Sequence, residues 1–164
     1  MNTFTQKWSL VTLLEQCPDG TEFAYTNWPT HITLADVFSV SWNNTLQSQL
    51  VSLFAKYKPI SLVVSKPTLL GPSANPVQVM TFEENIQLKS LHNDIIELLI
   101  NHGAVFNNPS FTKSGYIAHC SFQETTKLSA GLVVSIHNAT IIDMYPNDDG
   151  YMRKATKTIP FDSP

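Results

Sequence analysis

Two short segments of the chain hold residue types that could move protons at a phosphate: His31-Ile32-Thr33-Leu34 and His119-Cys120-Ser121-Phe122. Each places a histidine and a hydroxyl two positions apart, interleaved with apolar residues. Side chains on an extended strand alternate between its two faces. His31 and Thr33 then share one face while Ile32 and Leu34 share the other, and His119 and Ser121 likewise oppose Cys120 and Phe122. The apolar pair can enter a core while the imidazole and hydroxyl face a groove. Two such strands side by side would gather two imidazoles and two hydroxyls. Reaction at a phosphodiester needs a base for the attacking oxygen, an acid for the leaving oxygen and donors for the phosphate oxygens. Histidine, with an ordinary pKa of about 6.5, can take either proton role at neutral pH. The hydroxyls can hold the anion without adding fixed charge.

The elements that must position these segments are legible from periodicity. Residues 7–14 are short and apolar and lead into Pro18-Asp19-Gly20, which predicts a strand and a turn, and residues 30–38 also read as extended. The period then changes. Leu46, Leu50, Leu53 and Phe54 recur at spacings of three and four, predicting a helix over 43–57 with Asn43 or Asn44 as its N-cap. Strands are predicted at 59–70 and 77–82, separated by a turn containing Gly71, Pro72, Asn75 and Pro76. A second helix fits 85–101, with Ile86, Leu88, Leu91, Ile95, Leu98 and Leu99 inward and Gly103 as its stop. The remainder reads as strands at 115–123, 131–137, 139–145 and 153–161, with Pro146-Asn147-Asp148-Asp149-Gly150 as a hairpin turn. This order predicts an α+β fold of antiparallel sheets, with the two helices outside and covering one side of each sheet.

One His-x-Thr means little alone. Two His-x-(Thr/Ser)-apolar motifs, one per half of the chain, resemble the two-histidine (2H) phosphoesterase superfamily, which includes LigT-like 2′-5′ RNA ligase proteins and 2′,3′-cyclic nucleotide phosphodiesterases. The resemblance extends to Trp28-Pro29-Thr30 before the first motif and to Leu91-His92 on the helix before the second. It implies a bilobal, pseudo-two-fold arrangement of antiparallel sheets, residues 1–164 forming one domain of two intertwined lobes whose motif strands line a central cleft. It also implies hydrolysis of cyclic phosphates or reaction at 2′-5′ linkages without a metal or other cofactor. On that reading His31 and His119 are catalytic, one as base and one as acid, and Thr33 and Ser121 bind the substrate phosphate. The alternative is a non-catalytic module that binds nucleotides or RNA ends in the same cleft. An enzyme for a non-nucleotide cyclic phosphate is a third reading. The chain departs from the family at Ala118, where members often have proline, and at Gln123 and Glu124, where many RNA-acting members carry a basic residue. The second departure points away from RNA.

Composition narrows the partners. The chain has 164 residues, 43% hydrophobic and 14% charged, with a net charge of −3. That supports a sizeable core and excludes a disordered chain. A pI of about 5.9 argues against coating long nucleic acid, whose affinity comes from many cation–phosphate contacts. The expected partner is instead a small cyclic phosphate or short oligonucleotide. Two cysteines, Cys17 and Cys120, suit a reducing compartment, and neither a signal peptide nor a bilayer-spanning run is recognised, so a cytoplasmic monomer is expected. Cys120 should point away from His119 and be buried. His92, His102 and His137 read as structural or exposed, and no grouping has the spacing of a zinc site. Asp36 and Glu83 could orient an imidazole. Arg153, the single arginine, reads as a strand-end cation more readily than as a phosphate clamp, and simple alternation puts Tyr116 opposite to His119. Tyr25, Trp28 and Phe111 could either stack on a base or pack in the core.

Overall fold

The structure is a computed structural model that describes residues 6–121 and 128–162. Its order is β1 (Trp8–Leu13), β2 (Glu22–Ala24), β3 (His31–Ser39), α1 (Asn44–Phe54), β4 (Ile60–Leu70), β5 (Val77–Phe82), α2 (Ile86–Asn101), β6 (Val105–Phe106), β7 (His119–Ser121), β8 (Val133–Ile136), β9 (Asn138–Asp143) and β10 (Met152–Pro160). The strands form a six-stranded sheet, β2-β10-β9-β1-β3-β6, and a four-stranded sheet, β7-β5-β4-β8. The fold is α+β, and each sheet contributes one motif strand.

Local chemistry accounts for the helix ends. The Asn43 side chain accepts from the Leu46 amide and the Asn85 side chain from the Leu88 amide, so each helix starts at an asparagine cap. Gly103 follows α2 at φ +82, the left-handed conformation in which glycine ends helices without strain. Leu46, Leu50 and Phe54 of α1 and Leu88, Leu91, Ile95, Ile96 and Leu99 of α2 are buried as periodicity requires. Ile86, expected inward, is instead 82% exposed, because the first residue of α2 projects beyond the core that the later turns cover. The helices pack on each other and chiefly on the six-stranded sheet, α2 against β3 and α1 against β10. One apolar cluster joins Ile32, Leu34, Leu62, Val64, Met80 and Cys120, so both motif strands bury their apolar faces in a shared core.

Three expectations need correction. The strand predicted over 115–123 is only three residues long in its described part. Short 3-10 turns at Pro109–Phe111 and Lys113–Gly115 precede it, and Phe122, Gln123 and Glu124 lie outside the described residues. The Gly115 backbone passes so close to the Ser110 carbonyl that an added Cβ would lie 1.8 Å from its oxygen, which demands glycine there. The helices do not divide between the sheets. Finally, β2 and β6 are added, each too short to show a period, and they pair with β10 and β3. The hairpin turn holds: β9 and β10 are antiparallel around 146–150, with Asn147 and Asp148 at positive φ. Among the described residues no helix is long and apolar enough to cross a membrane.

Candidate active site

The two motif strands come from different sheets and lie against each other. β3 is held by β1, with His31 opposite Leu13 and Thr33 opposite Val11. β7 is held by β5, with His119 opposite Thr81 and Ser121 opposite Val79. Ile32, Leu34 and Cys120 are buried, while His31, Thr33, His119 and Ser121 are half-buried on the other face. Burial pushes the Cys120 thiol pKa up, against a small opposing pull from the His31 backbone it touches, so the thiol is a core group rather than a nucleophile.

Both histidines are locked the same way. His31 Nδ1 lies 2.8 Å from the Pro29 carbonyl and His119 Nδ1 lies 2.7 Å from the Ile117 carbonyl, in each case two residues back. A carbonyl can only accept, so Nδ1 carries the proton in both rings and each Nε2 is left to exchange a proton with a ligand. The surroundings differ. Trp28 packs on the His31 ring with centroids 4.6 Å apart, and its other neighbour is Phe23 at 5.1 Å. Burial lowers the His31 pKa. The bond to Pro29 opposes the shift, and the nearby His119 adds to it. Glu15 Oε1 accepts from the Thr30 amide at 3.0 Å, which anchors the loop entering β3.

His119, Ser121 and Thr33 line one groove of about 260 Å³ together with Asp36, Tyr116 and Phe111. His31 is not on its wall but lies close enough to His119 for their charges to interact. Among the described residues neither motif hydroxyl has a hydrogen-bond partner, so both can donate to an anion. Larger cavities elsewhere, about 450 Å³ beside Glu15, Cys17 and His137 and about 570 Å³ beside Glu84, Lys89 and Lys113, contain no motif side chain. Among the described residues no three His, Cys, Asp or Glu side chains cluster as metal ligands would.

A bridge between the motifs was not foreseen. His92 is buried on α2; its Nδ1 donates to the Leu34 carbonyl at 2.7 Å and its Nε2 accepts from the Lys113 amide at 2.9 Å. That amide belongs to a residue at φ +55, and the bond helps to hold this uncommon conformation. Tyr116 stacks on the His92 ring at 3.8 Å and donates its hydroxyl to the Thr33 carbonyl at 2.7 Å. The first motif strand is thereby tied to the segment leading into the second. Alternation misplaced Tyr116 because residues 116–118 are not strand. No sequence signal marks this bridge beyond a histidine on the buried face of α2.

The remaining side chains sort plainly. His92 is structural as expected; His102 meets Gln49 at 2.6 Å and His137 is exposed. Arg153 is neither a free strand-end cation nor a clamp. It is half-buried, and its guanidinium donates to the Met144, Gly150 and Met152 carbonyls at 2.8–2.9 Å, closing the 146–150 hairpin. Tyr25 packs on Tyr151 and under Arg153, Trp28 packs on His31, and Phe111 reaches the groove.

No known protein-family model matches the sequence, and no curated protein sequence does. Solved structures do match. A protein described as a phosphoesterase aligns at TM-score 0.59 and 13% identity over 97% of this chain and 99% of its own. LigT of Escherichia coli in complex with NADP+ aligns at TM-score 0.59 and 13% identity over 96% of this chain and 98% of its own. The same protein in complex with 3′-AMP aligns at 0.59 and 13% over 95% and 98%. Over nearly its whole length, then, this chain has the bilobal α+β fold of the LigT-like phosphoesterases.

Proposed function

We infer that the protein is a phosphodiesterase of the two-histidine type that opens a 2′,3′-cyclic phosphate or cleaves a 2′-5′-linked nucleotide, without a metal. One observation carries this reading: two imidazoles on adjoining strands, each pinned through Nδ1 to the carbonyl two residues back, each followed by an unengaged hydroxyl. Burial disfavours the charged form of His31, which suits that ring to the role of base. Its Nε2 takes a proton from water as the water oxygen bonds to phosphorus. The bond from phosphorus to the departing ribose oxygen breaks, and the protonated Nε2 of His119 supplies the proton that oxygen needs. Thr33 and Ser121 donate to the non-bridging oxygens, where negative charge is held through the transition state. The likeness in fold to phosphoesterases supports the same reaction class. The core shared by both sheets supports treating the chain as one domain of two lobes, and the two free cysteines support a cytoplasmic setting.

Incubation with adenosine 2′,3′-cyclic phosphate in excess chelator tests this directly. The expected result is conversion to a single monophosphate that His119→Ala slows by about 10²–10⁴-fold. Binding without product, in the wild-type protein, would favour a nucleotide-binding module instead.

A further inference from the structure

Asp36 stands five residues after His31, so strict alternation would put its side chain on the core face of β3. It does not go there. The pairing of β3 with β1 slips twice: Val11 is opposite Thr33 and Leu10 opposite Ala35, then Trp8 opposite Phe38. The first slip is a bulge that leaves Leu34 and Ala35 both in the core. The face therefore switches, and Asp36 emerges beside Thr33 on the groove wall. A bulge next to a site commonly re-aims one side chain.

Here the re-aimed group is a carboxylate in a groove meant for an anion. Its one described partner is Asn108, whose Nδ2 donates to Oδ2 at a stretched 3.4 Å. Among the described residues the rest of the wall is hydroxyl, imidazole, phenol and apolar surface, with Phe111, Ile117 and Val77 exposed and no lysine or arginine. The volume, about 260 Å³, is below the roughly 300–1,000 Å³ usual for drug-sized ligands. A nucleoside whose only charge is one cyclic phosphate suits both features: the phosphate at the motif side chains, the base on the apolar wall. A second phosphate would sit in a confined groove beside a carboxylate that no lysine or arginine among the described lining residues offsets.

We propose that Asp36 is a specificity-determining residue that restricts the groove to a single nucleoside bearing one phosphate, by repelling any second anionic group. The inference rests on the phosphodiesterase reading for its substrate and deepens it. The test compares adenosine 3′-phosphate with adenosine 3′,5′-bisphosphate by binding titration, and the corresponding 2′,3′-cyclic substrates, with and without a 5′-phosphate, by kcat/KM. Wild type should favour the ligand without the 5′-phosphate by about tenfold at low salt, less as ionic strength shortens the ~10 Å screening length. Asp36→Asn should bring the two ligands near parity, chiefly by gain on the bisphosphate. An unchanged preference in Asp36→Asn, a wild-type preference for the bisphosphate, or no binding of either ligand would overturn the proposal. An Asp36-dependent preference in binding with no turnover of either cyclic substrate would uphold it while removing the catalytic reading beneath it.

Discussion

β3 runs nine residues inside the six-stranded sheet, paired with β1 along most of its length and with β6 at its far end, whereas the described part of β7 is three residues at the edge of the four-stranded sheet. The two carry the same His-x-hydroxyl unit, and the same Nδ1 lock to a carbonyl two residues back. They differ in cover. His31 lies under Trp28, with burial lowering its pKa, while His119 lies on the groove wall. A near-symmetric pair of imidazoles in unequal surroundings can divide base and acid roles, because environment rather than residue type sets which is neutral at rest. The repeat supplies two equivalent groups, and packing makes them different.

The largest effect that would sharpen this contrast comes from removing one ring at a time. His31→Ala and His119→Ala should each lower kcat about 10²–10⁴-fold, with thermal unfolding of both variants still cooperative. The two losses should part on a diester with a nitrophenol leaving group, which needs no protonation: His119→Ala should recover most of its rate and His31→Ala should not. Recovery by His31→Ala instead would reverse the assignment. The hydroxyls come next. Thr33→Val and Ser121→Ala each delete one donor to the charged phosphate, a contribution of about 1.5–3 kcal/mol, so kcat/KM should fall about 10–150-fold in each. Equal losses would show that the unequal cover stops at the imidazoles.

The smallest change in rate, and the sharpest probe of cover, is Trp28→Ala. A base must be neutral, and burial makes His31 harder to protonate, so the acid limb of the kcat/KM profile should lie below 6.5, the ordinary value for histidine. Exposing the ring to water relieves that shift, and the limb should move up toward 6.5. The rate near pH 6 then falls while the rate near pH 8 holds. A limb that stays in place would mean that Trp28 does not supply the cover.

Much of this site could be read before any coordinates. His31, Thr33, His119 and Ser121, with Ile32, Leu34 and Cys120 turned inward, follow from alternation along a strand, and the helices follow from their apolar period, the Asn43 cap of α1 and the Gly103 stop of α2. These are properties of neighbours in sequence, and local backbone geometry translates them without outside help. What tertiary structure alone decided depends on partners far along the chain. Asp36 faces the groove only because a bulge at Leu34–Ala35 shifts β3 against β1, and Tyr116 reaches Thr33 only because the chain before β7 is two tight turns rather than a strand. Arg153 is occupied by carbonyls that the 146–150 hairpin brings to it. His31 differs from His119 because Trp28 folds over one ring, and burial, register and desolvation exist only once distant segments have packed.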